Sequence, residues 1–181
     1  MARSTMKPTP ILETERLILR ELCHEDTEDM MRLHSHPVVQ RYTGEGVITT
    51  PEGIINKIAE KQADYRKYGY GRWATILKEG DEFVGWAGLA YLPEFDEIDV
   101  GYRFLPEFWG RGLATEATRG ILSYAFNELK LKRIVAIAMK ENKASIRVME
   151  KAGMQFEKYA PYFPEGEDLA WYVMKNEILG I

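Results

Sequence analysis

Cysteine is nearly absent: Cys23 stands alone in 181 residues, so no internal disulfide can form and a reducing cytoplasm is the expected setting. Its expected role is that of a small, partly buried hydrophobe. Histidine is scarce too. His24, His34 and His36 all lie within the first 36 residues, without the company a metal site needs, so no metal is assigned. The same confinement leaves no convincing nucleophile–base relay. Long apolar runs are missing: no window approaches the roughly 18 residues of a membrane span. The opening MARSTMKPTP has no apolar stretch to serve as a secretory signal. Long basic runs are also missing, which argues against a nucleic-acid backbone as partner. No internal repeat or low-complexity tract occurs.

What the chain does have is the makeup of a soluble globular protein: 45% apolar and 29% charged residues, with a formal net charge of -4 and both signs interspersed. Its length suits one domain with its own core. Pro8 and Pro10 oppose regular structure, so residues 1–10 read as a loose leader and 11–181 as the domain.

Periodicity supplies the elements. Leu17 and Leu19 alternate with polar neighbours in Thr14 to Leu22, predicting a strand. His24 to His36 reads as a helix closed by Pro37, and Pro51 to Lys67 as a second, with Ile54, Ile55 and Ile58 helically spaced. Trp73–Lys78 and Glu82–Leu92 form a predicted hairpin, and Glu97–Leu105 a further strand. A long amphipathic helix follows over Gly112–Lys130, then a β-branched strand over Arg133–Met139. Asn142–Ala152 is a helix stopped by Gly153, and Met154–Ala160 with Asp168–Lys175 close the chain as strands. A strand, long helix and strand in the middle imply a parallel pair with a right-handed crossover. The expectation is a single mixed α/β (α+β) domain, with about six or seven strands and about four helices.

The most informative stretch is FWGRGLATEA, Phe108 to Ala117, where a strand gives way to the long helix. The N–H groups of a helix's first turn lack intrahelical acceptors, and the dipole leaves partial positive charge there. Glycines at 110 and 112 remove side chains that would hold an anion away, and Arg111 can add a charged contact. The lysine and hydroxyl residue of a Walker loop are missing, and the glycine spacing of a dinucleotide fold fits poorly. Taken alone, the turn could equally be a tight connection with close helix packing.

Four segments in order remove that ambiguity: TERLILREL, IDVGYRFLPEFWGRGLATEA, IVAIAM and NKASIRVMEKAGM. Together they resemble the GNAT superfamily of N-acetyltransferases, and within it the branch of ribosomal-protein alanine N-acetyltransferases. The likeness spans about Leu12 to Val173. It implies an acetyl-coenzyme A-dependent enzyme with a splayed parallel strand pair, acting on a primary amine of a protein N-terminus or a small molecule, and a possible homodimer. It implies too that backbone groups of Phe104 and Leu105 pair with the pantetheine arm. Gly110, Arg111, Gly112, Leu113, Ala114 and Thr115 would cradle the pyrophosphate, Asn142 would bond the arm, and Ser145 would sit near the sulfur. Trp109 stands where the superfamily usually has glutamine or arginine. Met149 stands where many members carry a tyrosine acid.

Acetyl transfer from a thioester needs a neutral amine, a stabilised oxyanion and a proton for the departing thiolate. Direct attack in a ternary complex needs no covalent enzyme intermediate. Strand alternation sets Glu97, Asp99 and Arg103 on one face of their strand. Glu97 and Asp99 are therefore candidate bases, or else partners in surface ion pairs. Asn142 is either a helix N-cap, a cofactor ligand, or both. Tyr42, Trp73, Trp86, Tyr91 and Trp171 either line the acceptor side or belong to the core. Two other function classes fit the same fold: a non-catalytic coenzyme A sensor, and a purely structural interaction domain that would not bind coenzyme A.

Overall fold

The computed structural model describes residues 7–176. The chain begins with two short strands, β1 (Pro10–Glu13) and β2 (Leu17–Arg20), followed by helices α1 (Thr27–His34), α2 (Pro37–Gln40) and α3 (Pro51–Tyr68). A meander comes next: β3 (Arg72–Leu77), β4 (Glu82–Leu92) and β5 (Glu97–Phe104). Helix α4 (Leu113–Asn127), strand β6 (Arg133–Met139), helix α5 (Lys143–Lys151) and strands β7 (Gln155–Pro161) and β8 (Asp168–Lys175) complete it. One 8-stranded sheet results, in the order β1-β2-β3-β4-β5-β6-β8-β7. All neighbours are antiparallel except β5 and β6, the parallel pair joined by the α4 crossover.

Two elements depart from the sequence expectation. Eight strands form rather than six or seven, because Pro10–Glu13 pairs with β2 as an edge strand. Proline is tolerated as the first residue of an edge strand, where its missing N–H costs no ladder bond. The expected leader thus gives up Pro10 to the sheet; residues 1–6 lie outside the described residues. The predicted helix from His24 to His36 is also divided. A 3-10 turn (His24–Asp26) leads into α1, and Pro37 opens α2 as its first residue instead of only ending α1. The other boundaries fall within a few residues of expectation, and α4 ends at Asn127.

Helix α3 shows how local sequence sets an element. Thr50 caps it by accepting the Gly53 N–H at 3.3 Å, Pro51 takes the first turn, and Gly69 ends it in the left-handed conformation (φ +76°). Its inward residues Ile54, Ile58 and Tyr65 are buried, and the Tyr65 hydroxyl donates to the Arg72 carbonyl. Helices α1 and α3 cover one sheet face, the side of Arg103, which contacts His34 of α1. Helix α4 covers the other, where Tyr124 meets Trp73 edge to face at 5.8 Å. Trp73, Leu89, Val100, Phe104, Leu113 and Ile121 fill the α4 layer, each apolar side chain contributing roughly 1.5–3 kcal/mol on burial. Among the described residues, helices cover both faces of the sheet centre, so a route into it must run between strands.

Candidate active site

The route lies between β5 and β6. Their ladder has one register pair, Asp99 with Val135, although both strands continue beyond it. Beyond it no further register pair forms, which leaves a gap in the ladder on the side of the turn into α4. On the far side of β5 the ladder with β4 is continuous, and Leu105 donates to the Val84 carbonyl at 2.9 Å. Hydrogen-bonded and non-hydrogen-bonded pairs alternate along such a ladder. The peptide groups of Tyr102 and Phe104 therefore face the gap. Leu105, expected from the sequence beside Phe104, commits its N–H to β4 instead. The Phe104 carbonyl accepts the Trp109 indole N–H at 2.8 Å, which fastens the start of the turn to the mouth of the gap.

At that mouth, Gly110 and Gly112 take φ values of +71° and +75°, left-handed conformations that glycine adopts without strain. The first helical bond runs from Glu116 N–H to Gly112 C=O. Among the described residues, the N–H groups of Gly110, Arg111, Gly112, Leu113, Ala114 and Thr115 find no acceptor. A Cβ built on Gly110 would meet nothing within 4 Å, so the space beside that residue is open. Arg111 is exposed, its guanidinium 5.6 Å from the centre of the Phe108 ring. Glu116 is turned away, held by Thr14 (2.6 Å) and by the backbone and side chain of Arg16 (2.8 and 2.6 Å). Those bonds hold the Glu116 carboxyl below its usual range against the opposing effect of burial. A cluster of unused N–H donors on a helix N-terminus, with the local carboxylate clamped aside, is chemically suited to a phosphate-type anion. An open cavity of about 630 Å³ adjoins the turn on its β1 side, with Arg16, Arg119 and Lys151 on its walls. None of its lining residues comes from β5 or β6, so it lies beside the gap rather than within it.

On the α4 side of the gap stands α5. Asn142 caps it, its Oδ1 accepting the Ser145 N–H at 3.2 Å, while its amide nitrogen keeps no partner among the described residues. Capping and ligand contact are compatible in this geometry. Ser145 lies 3.4 Å from the Tyr102 hydroxyl, a contact that joins β5 to α5 across the gap. Burial pushes the Tyr102 phenol above its ordinary value. Tyr102 carried no signal in sequence beyond its place in the strand, since its partner is 43 residues away. Met149 is buried and has no proton to give.

On the opposite face, Asp99 is only 9% exposed and ion-paired with Arg72. Burial pushes its carboxyl up, while the Arg72 guanidinium beside it pulls the other way. Glu97 lies at the start of β5, away from the open end, and accepts from Arg133 at 2.8 Å. Arg133 also forks onto Glu157. Arg103, next to Phe104, pairs with Glu45 at 3.0 Å and reaches His34 Nδ1 at 3.4 Å. Trp86 carries both guanidinium groups, Arg72 at 5.3 Å and Arg103 at 5.0 Å from its ring centre. Trp73 and Trp171, by contrast, are core residues.

Comparison with known proteins supplies the family. The family model described as "Acetyltransferase (GNAT) domain" matches residues 16–155. This chain belongs to the GNAT acetyltransferase family. It is an acetyl-CoA-dependent N-acetyltransferase. A Bacillus subtilis protein named "Uncharacterized N-acetyltransferase YoaA" is 35% identical over 82% of this chain and 84% of its own length. The FsC-acetyl coenzyme A-N(2)-transacetylase of Aspergillus fumigatus is 36% identical over 90% of this chain and 76% of its own. The crystal structure of a GNAT-family acetyltransferase from Bacillus anthracis superposes with a TM-score of 0.80 at 30% identity, covering 92% and 98% of the two chains. No helix among the described residues of this GNAT enzyme is long and apolar enough to cross a membrane.

Proposed function

We propose that the enzyme acetylates a primary amine of low pKa, the α-amino group of a peptide or an amino-acid-like small molecule, by direct attack on the bound thioester. The N–H groups of Gly110 to Thr115 hold the diphosphate, and Arg119 and Lys151, on the walls of the adjoining cavity with Glu15 and the Arg16–Glu116 pair, add positive charge for the nucleotide end. Tyr102 and Phe104 meet the pantetheine arm with their peptide groups, as a strand edge meets another strand. Asn142 adds its free amide nitrogen. Ser145 and the Tyr102 hydroxyl, in contact with each other, stand where a departing thiolate needs a proton.

The acceptor class follows from proton bookkeeping. Glu97 and Asp99, the two candidate bases on β5, are both held by arginines. Without a free carboxylate, the amine must reach its neutral form through water. Near pH 7.4 that costs a lysine amine about 4 kcal/mol and an α-amino group less than about 1 kcal/mol. An α-amine therefore reacts where a lysine or polyamine stalls. The reading is carried by the unsatisfied donor cluster at the mouth of the β5–β6 gap. A panel of α-amino, ε-amino and polyamine acceptors, with thiol release and product mass as readouts, tests it. Turnover confined to ε-amines or polyamines refutes the acceptor class.

A further inference from the structure

Two sequence motifs meet at the donor turn: Thr14 to Arg16 of TERLILREL, and Glu116 of GRGLATEA. Arg16 grips the turn on two sides. Its Nε donates to the Glu116 carboxylate at 2.6 Å, and its Nη1 to the Arg111 carbonyl at 2.9 Å. A trans peptide points its C=O and N–H in opposite directions, so fixing the Arg111 carbonyl on Arg16 aims the Gly112 N–H away from it. Glu116 lies in the first turn of α4, where a carboxylate is drawn to the same unpaired amides that an anion would use. Held by the Thr14 hydroxyl and by Arg16, it cannot fill them.

The clamp is itself fixed to the sheet. The Thr14 N–H donates to the Leu17 carbonyl at 2.9 Å, and the Leu17 N–H to Thr14 Oγ1 at 3.1 Å. Lys78 donates its N–H to the Arg16 carbonyl at 2.8 Å and its ammonium to the Thr14 carbonyl at 2.7 Å. Gly120, one turn along α4 from Glu116, lets the β1–β2 connection come this close: a Cβ there would lie 2.7 Å from Thr14 Cγ2. Alanine would favour the helix more at that position, so the glycine serves the approach. The Arg16 side chain is 43% exposed, and an ion pair so exposed adds little to folding stability. Its consequence is directional.

We propose that Arg16 is a positioning residue: with Thr14 it locks Glu116 out of the anion site and holds the Gly112 N–H on aim, without touching the coenzyme itself. The inference rests on the reading that the turn holds the diphosphate.

Two variants, read by calorimetry, separate positioning from simple charge. Glu116→Gln removes a negative charge beside the anion site, which by electrostatics alone would tighten CoA binding about two- to fivefold. Glutamine, however, has one oxygen for the two sides that the carboxylate serves, so the clamp loosens and CoA should bind about fivefold more weakly. Arg16→Lys keeps the positive charge but lacks the planar fork that reaches Glu116 and the Arg111 carbonyl together; CoA should bind it about tenfold more weakly. Pantetheine, which ends before the diphosphate, should bind both variants within about twofold of wild type, a selectivity that general damage to the fold would not give. With the best acceptor from the amine panel, each variant should raise the KM for acetyl-CoA and leave kcat within about twofold. A Glu116→Gln enzyme that binds CoA as tightly as wild type or more tightly overturns the proposal. So does an Arg16→Lys enzyme with wild-type CoA affinity, or an equal loss for CoA and pantetheine. Wild-type protein that binds CoA no more tightly than pantetheine would instead sink the reading of the turn, and this inference with it.

Discussion

Replacing Gly110 with alanine isolates the anion site from everything else the turn does. Gly110 has φ +71° and open space where a Cβ would stand, so the methyl clashes with no protein atom. The folded chain then bears only the left-handed backbone penalty of an L-residue, roughly 1–2 kcal/mol. At about 2–4 °C per kcal/mol for a domain of this size, Gly110→Ala should melt some 2–8 °C lower. The methyl also projects into the open space beside the turn whose N–H groups are unused. Loss of one charge-assisted hydrogen bond there, about 1.5–3 kcal/mol, weakens CoA binding roughly 10- to 150-fold. Gly69 provides the control. It ends α3 at φ +76°, again with nothing within 4 Å of a built Cβ, and it plays no part in the site. Gly69→Ala should show a similar drop in melting temperature with undiminished CoA affinity. Calorimetry and thermal melts on the two variants make the comparison. If both melt lower and both bind CoA like wild type, the glycine turn is a connection and the phosphate assignment is wrong.

Two further outcomes follow from other parts of the site. Tyr102→Phe should lower kcat by about 10²-fold with the CoA affinity unchanged, and Ser145→Ala should lower it in the same direction; thiol release at saturating donor reads both, and unaltered rates in the two variants would remove them from proton delivery. His34 is buried against Arg103 and pushed down to about 4 by desolvation first and by that guanidinium second. The unfolded chain therefore binds this proton first as pH falls. The stability the neutral ring supports is complete above about pH 6.5 and is lost toward pH 4, by up to about 3 kcal/mol. Urea titrations between pH 8 and 4 should show that loss in wild type and a flatter dependence in His34→Gln; identical slopes would contradict the assignment.

How legible each feature is in the sequence depends on how local its cause is. Helix α3 is readable because Pro51 and the spacing of Ile54, Ile55 and Ile58 lie within it, although the Thr50 cap and the Gly69 stop emerge only in the structure. The donor turn is readable for the same reason, as its glycines and the helix they open are contiguous. Strand β1 escapes notice because Ile11 and Leu12 are too few to show a period and Pro10 argues against structure, until β2 supplies the ladder. Proline 37 reads as a stop, and only tertiary packing reveals that it also opens α2. Chemistry that spans the sheet is less readable still. Alternation correctly sets Glu97, Asp99 and Arg103 on one face, but their partners lie elsewhere. Arg72 precedes Asp99 by 27 residues, and Arg133 follows Glu97 by 36. Whether a carboxylate is free or braced is decided by those distant arginines, which no local pattern announces.

On the proposed reading, the amides from Gly110 to Thr115 grip the diphosphate of a coenzyme whose arm fills the gap between β5 and β6. Titrating isotope-labelled protein with CoA, and separately with pantetheine, which lacks the diphosphate, addresses it directly. CoA should shift the backbone amide resonances of Gly110 to Thr115 together with that of Phe104, whereas pantetheine should shift Phe104 and leave the turn largely unmoved. Saturable CoA binding that moves neither the turn nor Phe104 would contradict the account.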